Sequence, residues 1–433
     1  MQIFNRLESE VRGYIRSFPT VFTKASGALL TNEHGDHYVD FLSGAGTLNY
    51  GHNNPLLKKK LIAYLESDGL THGLDMASQA KADFLETFER VILKPRSMEY
   101  KIQFPGPTGT NAVEAALKLA RKVKGRSNVI SFTNAFHGVS LGSLSATGNT
   151  KFRSAAGIGL DNVTFMPYDG YLGQGVDTTA YLDKVLTDQS SGVDLPAAVI
   201  VETVQGEGGV NEASFAWLRA LEAVCRKHDV LLIVDDIQMG CGRTGTFFSF
   251  DNIGISPDII TLSKSISGYG LPMSLVLMKP ELDVWEPGAH NGTFRGHNLA
   301  FLTAKEAILA YWQDDAFQHQ IAEKETIMHS WLEFIKESYP EGKFSVRGRG
   351  MVQGLAVEDP ELAGKITAAA FDNGLIIETS GSQDQVIKFL PPLVIEERQL
   401  VAGLEIFEQS VTDALGIDPV RSGDVKIRMG AAQ

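Results

Sequence analysis

Apolar residues in this chain fall into two textures that take turns along its length. One is the short unbroken run, which predicts a strand buried on both faces. It appears near Tyr100–Phe104 and at Asn128–Phe132, Ala197–Val201, Val230–Val234 and Ile259–Leu262. The other is a longer stretch with apolar positions three or four apart, which predicts helices over Pro55–Ser67, Ser78–Leu93 and Asn111–Lys124. Strand and helix in alternation predict an α/β fold whose large domain is a doubly wound, mostly parallel sheet. Beyond about residue 300 the texture changes. Leu299–Tyr311 and Ala316–Ser338 read as long helices, and strands recur near Met351–Val357 and Gln385–Leu390, so a smaller α+β domain is expected there. Before the alternation begins, Ala28–Thr31 and His37–Phe41 flank the turn Asn32–Asp36 as a short hairpin. The expected division is an N-terminal segment, 1–54, packing with the small domain, then a large domain over 55–298 and a small one over 299–433. No internal repeat is visible, and the tail from Asp418 has no usable periodicity.

Composition narrows the class. At 433 residues the chain can bury a sizeable core. Its 43% apolar and 21% charged residues are those of an ordinary globular protein rather than a disordered or fibrous one. A formal net charge of −13 argues against nucleic acid or an anionic membrane surface as a partner. Cys225 and Cys241 are too few for a disulfide framework and lack a metal-ligand spacing, so no metal site and a reducing compartment are expected. Residues 1–20 contain no apolar leader, and no apolar run is long enough to span a bilayer. The expected location is the cytoplasm.

The chemistry concentrates at strand ends. Asp235 follows the run Leu231–Val234, and Lys264 follows Ile259–Leu262 by two residues. Two buried strands that each deliver one titratable group at the carboxyl end suit a pyridoxal phosphate ring, with the lysine forming a Schiff base and the aspartate keeping the pyridine nitrogen protonated. A buried aspartate needs such a partner. A free lysine is only about 0.04% neutral at pH 7, so burial or a nearby cation must depress its pKa before it attacks a carbonyl. Taken alone, a lysine after a strand is usually a solvated one.

Other segments are less specific by themselves. Pro105–Asn111 precedes a helix, where glycine and free N–H groups suit a phosphate, although a plain helix cap made by Thr110 or Asn111 looks the same. Phe136-His137-Gly138 follows a strand, so the ring of Phe136 either stacks on a flat cofactor or is ordinary packing. Glu202 ends a strand and is followed by Gln205-Gly206-Glu207-Gly208-Gly209, where dense glycines imply close backbone approach. Gln238 can hydrogen-bond a phenolic oxygen, whereas Asp236 can simply cap a helix. Thr293, in Asn291–Gly296, is a second phosphate contact or a simple turn. Gly240-x-Gly242 is no dinucleotide fingerprint, since it lacks the third glycine and the following amphipathic helix.

Together these segments resemble the class III aminotransferases, pyridoxal-phosphate enzymes of fold type I. The resemblance spans nearly the whole chain in order. It rests on Gly109-Thr110, Phe136-His137-Gly138, Glu202-x-x-Gln205-Gly206-Glu207-Gly208-Gly209 and Asp235-x-x-Gln238-x-Gly240-x-Gly242-Arg243-Thr244-Gly245. It continues through Pro257-Asp258-Ile259-Ile260-Thr261-x-Ser263-Lys264, Thr293-Phe294-x-Gly296 and Arg347-Gly348-x-Gly350. The resemblance implies a fold type I transferase with pyridoxal 5′-phosphate in the large domain. Lys264 would carry the cofactor and shuttle the proton, Asp235 would pair with the ring nitrogen and Gln238 with the phenolic oxygen. Phe136 would stack on the ring, Gly109 and Thr110 would bind the phosphate, and His137 and Glu202 would complete the cofactor shell. Thr293 would reach the phosphate of a neighbouring subunit, which implies a homodimer or a dimer of dimers.

Many glutamate-using members of that family have arginine where this chain has Val139 and Lys388. Lysine offers a point charge in place of a two-pronged fork. By the same resemblance Glu207 would neutralise the cation at the substrate carboxylate site, here Lys388. Arg16–Pro19, Gly44–Pro55, Phe104–Glu114, Ser265–Pro272 and Val234-Asp235-Asp236-Ile237-Gln238 are similar to the subgroup that serves ectoine biosynthesis. That subgroup moves the amino group of glutamate to L-aspartate 4-semialdehyde, giving L-2,4-diaminobutyrate and 2-oxoglutarate. Candidates for holding the α-substituents of the semialdehyde are the Gly44–Asn49 loop, the second subunit and Lys388. A transaminase for another ω-amino acid, of the 4-aminobutyrate or lysine type, and an aminomutase on the same scaffold stay open at this stage.

Overall fold

The structure, a computed structural model, describes residues 1–420, so nearly all of the tail from Asp418 lies outside it. Seven strands form the large sheet. Their order is Lys101–Gln103, Leu275–Met278, Ile259–Leu262, Leu231–Asp235, Ala198–Val201, Val129–Phe132 and Val163–Met166. Leu275–Met278 alone runs against its neighbours, so the sheet is mostly parallel. The five strands from Leu275–Met278 across to Val129–Phe132 are buried throughout, as expected for strands covered on both faces.

Two strands of this sheet are absent from the pattern expected above. Leu275–Met278 returns only a dozen residues after Ile259–Leu262 with nothing longer than the 3-10 turn Lys264–Ser267 between, which breaks the strand–helix alternation. Val163–Met166 is an edge strand and only half-buried, so its apolar signal is weak.

The helix after Lys101–Gln103 runs from Gly109 to Lys124 and puts Ala112, Val113, Ala116, Leu119 and Ala120 against the sheet. It begins two residues earlier than its apolar period suggests. The cap is Thr108, neither Thr110 nor Asn111. Asn111 Oδ1 instead reaches back to accept hydrogen bonds from the Thr108 N–H at 3.2 Å and the Thr108 hydroxyl at 2.8 Å. That reciprocal cap leaves the first helical amides pointing outward.

The remaining sheets join distant parts of the chain. Phe22–Ser26, Leu29–Asn32 and His37–Asp40 form an antiparallel set, which Leu375–Ile376 extends in parallel beside Val39 and Asp40. A second, wholly antiparallel sheet orders Ser345–Arg349, Val352–Ala356, Val386–Phe389 and Glu378–Ser380. Helices Ala316–Ser338, Pro360–Asp372 and Glu397–Leu415 pack on these two sheets. Arg243 ties the parts together. Its buried guanidinium donates to the carbonyls of Met351 at 2.9 Å and Pro391 at 2.6 Å and to Asn49 Oδ1 at 2.6 Å. Among the described residues no helix is long and apolar enough to cross a membrane.

Candidate active site

Three adjacent parallel strands end at one edge of the large sheet. Register places Asp235 beside Thr261 and Val234 beside Val201. Asp235, Glu202 just past its strand, and Lys264 two residues past its own therefore converge at the carboxyl ends, where open α/β sheets bind their ligands. Phe136, His137 and Gly138 arrive from the next strand, Val129–Phe132. Together these residues wall a cavity of about 170 Å³. Of the site residues expected from the sequence, Thr293, Lys388 and the Gly44–Asn49 loop do not line it. Thr293 sits exposed in the turn Thr293–Arg295, with its carbonyl 2.7 Å from His72 Nε2.

Lys264 is positioned by an element that sequence reasoning only skirted. Residues Ser43, Gly44, Ala45 and Gly46 all have positive φ, at 49°, 58°, 56° and 82°. This left-handed turn aims the Ala45 carbonyl into the site, where it accepts from Lys264 Nζ at 2.8 Å and from Gln238 Nε2 at 3.0 Å. Ser43 and Ala45 hold a conformation that L-residues rarely adopt, a strain typical of functional sites. The Gly44-x-Gly46 spacing is the one trace of it in the sequence. Burial lowers the Lys264 ammonium below its ordinary value, with Glu207 opposing and Lys388 reinforcing the shift. That is the requirement for an amine nucleophile.

Asp235 is nearly fully buried and well held. Its Oδ2 lies 2.6 Å from His137 Nδ1, and its Oδ1 accepts from the Thr261 hydroxyl at 3.0 Å. His137 is buried, which lowers its pKa, but the hydrogen bond and charge of Asp235 outweigh this and raise it overall. Glu202 behaves differently. Burial pushes it up to about 8, although its Oε1 accepts from the Phe136 N–H at 2.9 Å. Gly138 is required for close packing here. At φ 126° its Cα faces Thr110 and Ser143 so closely that a Cβ would stand 2.6 Å from Thr110 Oγ1.

Residues 13–411 match the family described as Aminotransferase class-III. The chain belongs to the class III aminotransferases. It is 65% identical over 416 residues to a diaminobutyrate–2-oxoglutarate transaminase of Bordetella parapertussis, covering 96% of each chain. It is 58% identical to one of Halomonas elongata, covering 95% of this chain and 99% of that one. An ornithine aminotransferase structure from Toxoplasma gondii, with PLP at partial occupancy in its active site, superposes with a TM-score of 0.82 at 26% identity, covering 96% and 94%. The fold is therefore that of the fold type I enzymes, and pyridoxal 5′-phosphate is the cofactor of this aminotransferase.

The aminotransferase site fits that group on its own geometry. Gly109 and Thr110 line the cavity at the start of the 16-residue helix, and their N–H groups meet no acceptor among the described residues. Open amides at a helix N-terminus are ready donors to a phosphate. The Thr110 hydroxyl is already engaged, 2.5 Å from both Ser140 Oγ and Ser143 Oγ, so the backbone is the freer donor. Phe136 is half-buried on the cavity wall and packs edge-on against Phe152. Both N–H groups of Gln238 are taken, by Ala45 and by Glu207 Oε1 at 3.0 Å. Its buried Oε1 has no partner. Beyond the cavity, fully buried Lys388 holds Glu207 Oε1 at 2.6 Å. Burial would raise Glu207, but Lys388 and Lys264 together bring it to about 2. Sequence reasoning missed a second carboxylate on that lysine, Glu378, whose Oε1 lies 3.0 Å from Nζ.

Proposed function

We propose that this aminotransferase moves the amino group of L-glutamate to the aldehyde carbon of L-aspartate 4-semialdehyde, forming 2-oxoglutarate and L-2,4-diaminobutyrate. The observation that carries the substrate choice is the 65% and 58% identity, across nearly the whole chain, to relatives named for diaminobutyrate and 2-oxoglutarate. The reaction is the entry into ectoine biosynthesis, the enzyme works in the cytoplasm, and its unit is a homodimer. The absence of Thr293 from the cavity of a single chain accords with a dimer in which it serves the partner's site.

When bound, pyridoxal phosphate supplies an electron-withdrawing ring that takes up the charge left on the substrate carbon and carries the amino group between two carbon skeletons. The chain supplies the rest. Lys264 Nζ would take the proton from the glutamate carbon that gives up the amino group and pass it to the cofactor, and in the second half-reaction would deliver a proton to the aldehyde carbon that receives the amino group, a task suited to an amine whose pKa burial has lowered. Asp235, oriented by His137 and Thr261, would accept a hydrogen bond from the protonated ring nitrogen. The open amides of Gly109 and Thr110 would hold the phosphate, and Phe136 would pack against the ring. Gln238, with Glu202, lies on the remaining wall, and rotation of its amide is what would present an N–H to the phenolic oxygen.

The test is spectral. Glutamate added alone to the cofactor-loaded protein should shift the visible absorbance of the bound cofactor, and aspartate semialdehyde added next should restore it with diaminobutyrate as product. A cofactor band that ignores glutamate would refute the donor assignment. Restoration by succinate semialdehyde but not by aspartate semialdehyde would refute the acceptor.

A further inference from the structure

Lys388 is fully buried, yet two carboxylates close on its single ammonium, Glu207 at 2.6 Å and Glu378 at 3.0 Å. The second is set by sheet register, because Glu378 stands directly opposite Lys388 on the neighbouring antiparallel strand. Glu378 Oε2 also accepts a hydrogen bond from the Tyr14 hydroxyl at 3.2 Å. Burial pushes the Glu378 carboxyl up, while the Lys388 ammonium pulls it back toward the ionised form. Among the described residues Lys388 is the one cation in ion-pair contact with either carboxylate, so the two share it.

Glu207 carries the consequence of that sharing into the cavity. Its Oε1 is occupied by Lys388 and by Gln238 Nε2. Its Oε2 meets no donor among the described residues, and Glu207 lines the same cavity as Lys264. We propose that Glu378 is a specificity-determining residue: by sharing Lys388 it leaves Glu207 Oε2 as the acceptor for a substrate α-ammonium. The site then favours ω-amino compounds that carry an ammonium beside their carboxylate, such as diaminobutyrate and aspartate semialdehyde, over 4-aminobutyrate and succinate semialdehyde, which lack it. Without Glu378, Lys388 would pair with Glu207 alone, and the preference for an ammonium should weaken. The inference rests on the transaminase reading given above and names how its acceptor is chosen.

Calorimetric titration tests it on protein loaded with pyridoxamine 5′-phosphate, which does not condense with an amine. Homoserine and 4-hydroxybutyrate both carry a hydroxyl where the reacting amine would stand, and only homoserine has the α-ammonium. Wild type should bind homoserine at least about tenfold more tightly, the fold-change expected for one charge-assisted hydrogen bond. Glu378→Gln, which keeps size and the acceptor for Tyr14, should bring the ratio close to one. Glu378→Asp should restore part of it, and Tyr14→Phe, which leaves the charge in place, should retain it. The KM of diaminobutyrate relative to 4-aminobutyrate should move in parallel. An unchanged ratio in Glu378→Gln would overturn the proposal, as would a collapsed one in Tyr14→Phe. Should Glu378→Gln not fold, a wild-type ratio near one overturns it directly. If wild type forms no diaminobutyrate from glutamate and the semialdehyde, the function reading itself fails; if it does and the ratio ignores Glu378, only this inference fails.

Discussion

Lys264 sits at φ 53° just past a buried strand, with its Nζ held by the carbonyl of Ala45. Position, burial and a ready acceptor together make its amine available for proton transfer. Lys264→Gln should therefore cut turnover by about a thousandfold or more, the range lost with a general acid–base group, and leave the cofactor removable by dialysis. Retention of the cofactor together with near-normal turnover would contradict the role. Glu202 provides a pH signature. Burial raises it from 4.5 to about 8, so between those values the folded chain holds a proton that the unfolded chain has released. Its contribution to stability is most favourable below the unfolded pKa and declines as pH rises through the folded one. Glu202→Gln removes that dependence, so on cofactor-free protein its Tm relative to wild type should climb as pH rises across this window. A pH-independent offset would contradict the shift. Lys264 and Asp235 were legible in the sequence because a titratable group at the end of an apolar run is conspicuous. Glu378 and Tyr14 were not, since their contact joins residues 364 apart, and a backbone carbonyl such as that of Ala45 has no letter of its own.

At the scale of elements, the helix Gly109–Lys124 links fold to chemistry. Its reciprocal cap between Thr108 and Asn111 holds the Gly109 and Thr110 amides open toward the cavity. Thr108→Ala should cost about 1 kcal/mol in denaturant unfolding and weaken cofactor binding, as loss of such a cap does elsewhere. A stability change without any effect on cofactor affinity would place the cap outside the phosphate site. The apolar period found this helix but not its first turn, because Gly109 and Thr110 carry no apolar signal. Ala316–Ser338 matched its expected bounds, since a long amphipathic stretch has many turns to report its period. The strand Glu378–Ser380 went unread because its three residues are Glu, Thr and Ser, and only pairing with Val386–Phe389 makes it a strand.

Across the whole molecule, the N-terminal segment, the large sheet and the late antiparallel sheet meet around Arg243. Burial brings its pKa down to about 9 despite the pull of Asp40, and it donates to Asn49, Met351 and Pro391 at once. Arg243→Met would leave three buried acceptors without their donor, and should lower unfolding stability by about 3 kcal/mol or more. A loss below about 1 kcal/mol would show that these segments are held by packing alone. The strand–helix alternation foretold the large sheet, while this junction was invisible because nothing in the order of the chain brings residues 49, 243, 351 and 391 together. The central claim concerns where the amino group goes, and isotope transfer measures that most directly. With [15N]glutamate and aspartate semialdehyde, the enzyme should yield diaminobutyrate labelled at its γ-nitrogen and unlabelled at its α-nitrogen. Label at the α-nitrogen, or label that never leaves glutamate, would contradict it.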